Sequence, residues 1–135
     1  MSFREKSAWV MAAIIVITAV LYAVMIAPLP GAVPPLPIVI GVVVVLTILS
    51  VLGQVAIAVF APRDANAAAD ARDRRVADKA GNLSGMVLAV GVVLAMGTYL
   101  MGHGGNVMFH AVFVSLIAAQ FAEYALTILF YRRGV

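Results

Sequence analysis

Residues 62–82 read PRDANAAADARDRRVADKAGN, and this stretch decides how the rest of the chain is laid out. It carries five of the nine cations (Arg63, Arg72, Arg74, Arg75, Lys79) and four of the six acids (Asp64, Asp70, Asp73, Asp78). The sequence on either side is almost purely apolar. Only this piece is long and polar enough to live in water, so it divides a pair of hydrophobic spans before it from a pair after it.

The composition agrees. Of 135 residues, 64% are hydrophobic and 11% charged, whereas a soluble domain carries about 25% charged residues. So short a chain cannot bury that much apolar side chain in a globular core, and the bilayer is its natural solvent. The net charge of +3 is no sign of nucleic-acid binding, because the cations stand at the ends of apolar spans. Over residues 63–79 the five cations are offset by four aspartates, leaving +1. There is no cysteine, which excludes disulfides, thiolate metal sites and a thiol nucleophile.

Outward from the polar stretch, four spans are expected, at about 8–27, 38–61, 83–101 and 107–130. Each is close to the roughly 20 apolar residues that cross a ~30 Å hydrocarbon core. The first follows a positive lead (Arg4, Lys6), as a signal peptide would. It is longer than the ~7–15-residue core of such a leader and has no clear small-residue cleavage site after it, so a retained span is expected. Pro28, Pro30, Pro34, Pro35 and Pro37 break the helix between the first two spans. The Val42–Val45 run would favour a strand in water, but in lipid an open strand leaves its backbone groups unsatisfied, and helix is expected. Pro62 ends the second span. Residues 62–82 form the polar loop, within which alanine-rich 66–80 is expected to be helical and to run towards the third span. Asp70/Arg74 and Arg74/Asp78 have the i,i+4 spacing of helical ion pairs. Gly102, Gly104 and Gly105 make the second turn. Trp9, Tyr22, Tyr99 and Tyr131, near span ends, read as interfacial anchors.

All nine cations lie on one side: two in the lead, five in the middle loop, two in the tail. The turns at 28–37 and 102–106 have none. Short loops rich in Lys and Arg stay in the cytoplasm, so both termini and residues 62–82 are expected there. DARDRRVADKAGNLSGMVLAVGVVLAMG, from Asp70, and FAEYALTILFYRRG, from Phe121, resemble a family of small bacterial four-span membrane proteins. That family carries a DER-type motif before the third span and a YRRG-like end after a glutamate in the fourth. Ala71 stands where the motif has its glutamate. The resemblance covers residues 64–134 and implies an inner-membrane topology with no assigned activity.

Candidate sites follow from polarity at depth. Glu123 is the only acid or base within a span apart from histidine, ~13 Å inside the border marked by Arg132. Gln120, Glu123, Tyr124, Thr127 and Tyr131 share one helix face. Thr47, Ser50 and Gln54 form a second stripe, with Gln54 at the depth of Glu123, so the two stripes are expected to face each other. This set reads either as interhelical glue or as a proton- or cation-coupled site. Ala77, Gly81, Gly85 and Ala89 repeat every four residues and include a GxxxG match, which lets helix backbones touch; a homodimer contact or packing within the monomer would use it. Arg72, Arg74, Arg75 and Lys79 are candidate contacts for anionic lipid headgroups. His103 and His110 flank the same turn rather than facing helices and read as polar interfacial residues, not haem ligands. Asn82 and Ser84 could cap the third span or join the Glu123 set. No phosphate loop, catalytic triad or metal-ligand spacing appears, so no cofactor and no enzyme activity is expected. The favoured reading is a structural or partner-binding, self-associating membrane protein. The alternative is a minimal proton- or cation-coupled transporter using Glu123.

Overall fold

The computed structural model describes residues 3–29, 36–60 and 70–134. Those residues form four helices and no strand: α1 (Phe3–Ile26), α2 (Leu36–Phe60), α3 (Ala71–Leu100) and α4 (Gly104–Arg133). All four are long and apolar enough to cross a membrane. This is an all-α membrane fold of two helical hairpins. In hydrocarbon a helix satisfies its own backbone groups, and the β-branched run Val42–Val45 accordingly lies inside α2.

The helix bounds differ from the expected spans where polar residues join them. α3 starts at Ala71, so the polar lead and the third span are one unbroken helix of 30 residues. At 1.5 Å per residue that is ~45 Å, longer than the hydrocarbon core. Its polar first turns therefore stand in the aqueous border. Asp70 is the N-cap, its carboxylate accepting from the Asp73 amide at 2.6 Å. Asp70 thus stabilises the helix start rather than pairing with Arg74 along a helix face. Residues 66–69 lie outside the described residues, as does most of the proline segment at 30–35. Asn82 and Ser84 do not cap anything: both are mid-helix, and the buried Ser84 hydroxyl donates back to the Gly81 carbonyl. Between α3 and α4, Gly102 and Gly104 take positive φ, which glycine adopts at little cost. Gly134 closes α4 in the left-handed region, its amide bonding the Phe130 carbonyl, and Arg132 and Arg133 fill the last turn, where cations suit the helix dipole.

The helices pack chiefly as α3 on α4, α4 on α1, and α1 on α2. The row is thus α2–α1–α4–α3. α1 is the most enclosed, with Ala8, Ala12, Ile14, Ile15, Thr18 and Tyr22 buried, while α2 buries only Val42. Small residues set the α3–α4 seam. Val76, Ala80, Ser84 and Ala95 are buried on α3, and Ser115 and Ala119 on α4. At Gly91 a β-carbon would stand 2.5 Å from Ser115 Oγ and 2.6 Å from Ser115 Cβ. This seam begins one residue away from the expected Ala77/Gly81/Gly85/Ala89 stripe, a rotation of about 100°. A β-carbon at Gly81 or Gly85 would meet nothing within 4 Å, and Ala77, Gly85 and Ala89 are exposed. The α3–α4 seam therefore does not use Gly85 or Ala89, while Gly81 is half-buried and Ala77 borders a cleft at the charged end. Between α1 and α2, Gly53 touches Val10 and Ile14, with 3.0 and 3.1 Å to its would-be β-carbon.

Gly91→Ala is expected to destabilise the protein in detergent by about 1–3 kcal/mol, the usual cost of overpacking. Gly97→Ala, where a β-carbon meets nothing within 4 Å, should be neutral or slightly stabilising because alanine is the better helix former. Equal unfolding midpoints for the two variants would remove Gly91 from the seam.

Candidate functional site

Three polar helix ends converge at the charged end of the molecule: the starts of α1 and α3 and the finish of α4. Between them lies a cleft of about 290 Å³, with Arg4, Ser7, Asp73, Tyr124, Thr127 and Tyr131 as its polar and amphipathic lining. Asp73 is its centre. Its Oδ2 meets Arg4 Nε at 3.0 Å, and its Oδ1 accepts from the Tyr131 hydroxyl at 2.5 Å. One carboxylate thus ties α1, α3 and α4 together. Arg72 closes the rim, donating to the Tyr131 carbonyl at 2.9 Å and lying 5.8 Å from the Tyr131 ring centre. On the far side of α1, Arg132 stands over the Trp9 ring at 5.4 Å and 3.9 Å from Glu5. Arg4 is nearly half exposed, so its pair with Asp73 is worth little by Coulomb attraction alone. Holding two partners on one acid is what fixes the three ends.

The expected polar set is brought together only in part. Tyr124 packs against the Ala8/Ala12/Ile128 cluster, and Thr127 and Tyr131 line the cleft. Glu123, half-buried, is one turn deeper than Thr127, whose hydroxyl donates to the Glu123 carbonyl at 2.8 Å. Gln120 is exposed. Gln54 does not face Glu123: α2 lies on α1, away from α4. Gln54 Nε2 donates to Ser7 Oγ at 2.8 Å, and Ser7 Oγ donates back to Gln54 Oε1 at 3.0 Å. Thr47 donates to its own helix at the Val43 carbonyl, and Ser50 is half-buried. The two polar stripes share a depth but not an interface. Equal depth is a condition for contact, but the helix order decides it.

Two aromatic residues also depart from their expected roles. Tyr22 is 2% exposed, a core residue rather than an interfacial anchor. Its hydroxyl and His110 Nδ1 share a hydrogen bond of 2.5 Å, and its ring lies 4.6 Å from that of Phe113. This ties α1 to α4 near the glycine turn, as Asp73 ties the ends at the other border. His110 is thus a packing partner. His103, at the N-cap position of α4, makes no side-chain cap bond and is exposed. Of the basic set, Arg72 is turned onto Tyr131, while Arg74, Arg75 and Lys79 are exposed on the first turns of α3.

Sequence reasoning passed over Arg4, Ser7, Asp73 and the Tyr22–His110 pair. A signal for the last existed: Tyr22 is four residues before the end of α1 and His110 six residues into α4, so both sit near the same border. No family model, curated protein or solved structure matches the chain.

Asp73→Ala should release Arg4 and Tyr131 together. Faster amide exchange is expected at residues 3–8, with a loss of about 1–2 kcal/mol, the scale of one hydrogen bond plus an exposed ion pair. Unchanged exchange there would mean that Asp73 does not hold α1.

Proposed function

We propose that this protein is a structural or partner-binding component of a bacterial inner membrane that self-associates through α3, with its charged end in the cytoplasm. The supporting observation is the bare face of α3. Gly81 and Gly85 have open space where a side chain would be, and Ala77, Gly85 and Ala89 are exposed. A glycine that packs against nothing costs helix stability, roughly 0.5–1 kcal/mol relative to alanine. Two of them, four apart, suit the close approach of another helix, since small residues let backbones touch where no hydrophobic effect separates helix from lipid. In the sequence all nine cations fall in the lead, the middle loop and the tail and none in the two turns, which supports the orientation, and the DARD and YRRG stretches support the bacterial family reading.

A second reading draws on Glu123. It lies one turn below the cleft, and its carboxylate has no hydrogen-bond or ion-pair partner among the described residues. Acids at such depth cost a few kcal/mol when charged and mark ion or proton paths in many membrane proteins. On this reading Glu123 exchanges a proton for a cationic ligand reached through the cleft.

Gly85→Leu should weaken self-association, measured by dissociation of the detergent-solubilised protein, while leaving the unfolding of the monomer unchanged because nothing touches that position. An oligomer that dissociates as before would remove α3 as the contact. Glu123→Gln separates the second reading from the first. Under structural packing the amide keeps the shape, and stability and association are unaltered. Ligand-induced proton release that is present in the native protein and lost in Glu123→Gln would establish the coupled site.

A further inference from the structure

α1 and α2 touch at Gly53, which packs against Val10 and Ile14. Towards the charged end a groove of about 290 Å³ opens between them. Its floor and walls are Val10, Gly53, Ala56, Ile57 and Phe60, and Lys6 stands at its mouth. The spacing explains the shape. Gly53, Ala56, Ile57 and Phe60 fall at i, i+3, i+4 and i+7 on α2, and Lys6 and Val10 at i and i+4 on α1, so each set shares one helix face. Gly53 and Ala56 are too small to fill the space that the face leaves.

We propose that this groove is a binding site for an anionic phospholipid, one acyl chain lying along the apolar walls and the phosphate meeting Lys6. Three observations select this occupant. The walls offer no hydrogen-bonding side chain, so the buried part of the ligand is hydrocarbon. Phe60 is 89% exposed at the end of α2, so its ring extends the apolar wall beside the bilayer. Lys6 is exposed and, among the described residues, has no acidic partner, whereas Arg4 is held by Asp73 and Arg132 stands near Glu5. A cation with no acidic partner among the described residues, at the border end of an apolar groove, is complementary to a phosphate joined to an acyl chain. Free inorganic phosphate has nothing to bind in the groove, and a zwitterionic lipid gains less from Lys6 because its own cation offsets the phosphate. This site is on the opposite side of the row from the bare face of α3 and is independent of self-association.

The test is native mass spectrometry of the full chain in detergent, titrated with phosphatidylglycerol and with phosphatidylcholine. The native protein should retain phosphatidylglycerol in preference. Lys6→Ala should reduce that preference about fivefold, the effect expected for one cation near a membrane surface, and Lys6→Arg should restore it. Ala56→Phe, at an exposed position on α2, should fill the groove and reduce retention of both lipids. In the Ala56→Phe background Lys6→Ala should then have little further effect, because two parts of one site are not additive. Three results would overturn the proposal: an unchanged preference in Lys6→Ala, additive effects in the double variant, or displacement of the lipid by excess inorganic phosphate. Lys6 is a surface side chain, so its variants fold and the preference can be read directly.

Discussion

The approach of α3 to α4 at Gly91 is the contact on which the second hairpin depends. In lipid the tails are as apolar as the helices, so no hydrophobic force gathers them. What remains is van der Waals contact, a few hydrogen bonds, and the closeness that small side chains allow. Gly91 against Ser115, with Ala80, Ser84, Ala95 and Ala119 along the same seam, supplies that closeness. Ser115 is also the kind of residue that can sit there. Its hydroxyl turns back to the Ala111 carbonyl at 2.7 Å, satisfying its own polarity without needing α3.

Polar ties then fix what packing alone leaves free. They lie near both borders. Tyr22 with His110 joins α1 to α4 near the glycine turn, and Asp73 joins Arg4 and Tyr131 at the charged end. Between them the α1–α4 contact is apolar, through Ala8, Ala12, Tyr124 and Ile128. Each interhelical hydrogen bond is worth only about 0.6 kcal/mol on average in a membrane, yet two at opposite ends set both the depth and the rotation of a helix pair. α2 has a weaker hold. Its polar tie is the Ser7–Gln54 exchange, its packing point is Gly53, and most of its surface is left to lipid.

Helix type and number were legible in the sequence because they depend on quantities a sequence contains: run length, the position of charges, and the rule that backbone groups in hydrocarbon bond internally. The glycine turn was legible for the same local reason. Which helix faces which was not. The two small-residue stripes on α3 start one residue apart, and a four-residue repeat alone cannot say which meets α4. Gly81 and Gly85 made the more conspicuous motif, but Ala80 and Ser84 face the seam. Gln54 shows the same limit. Its depth could be counted from Arg63, but its partner depended on α2 lying beside α1. Asp73 looked like one of several charges in a solvated run until folding placed it between Arg4 and Tyr131.

The register of the second hairpin places the two proposed features of α3 and α4 at one level. Asp73 meets Tyr131, and Gly91 meets Ser115. Glu123 is midway between Ser115 and Tyr131, and the midpoint of Asp73 and Gly91 is residue 82, between Gly81 and Gly85. The membrane-embedded acid is therefore level with the bare part of its neighbouring helix. A helix that docks at Gly81 and Gly85 displaces lipid at the same depth as the carboxylate. An acid costs less beside a polar partner than beside hydrocarbon, and a helix docked on Ala77, Gly81, Gly85 and Ala89 would exclude lipid there without meeting a polar side chain of that stripe. The two readings of the protein therefore share a depth but not a contact: one concerns what replaces lipid against the middle of α3, the other what reaches Glu123 through the cleft.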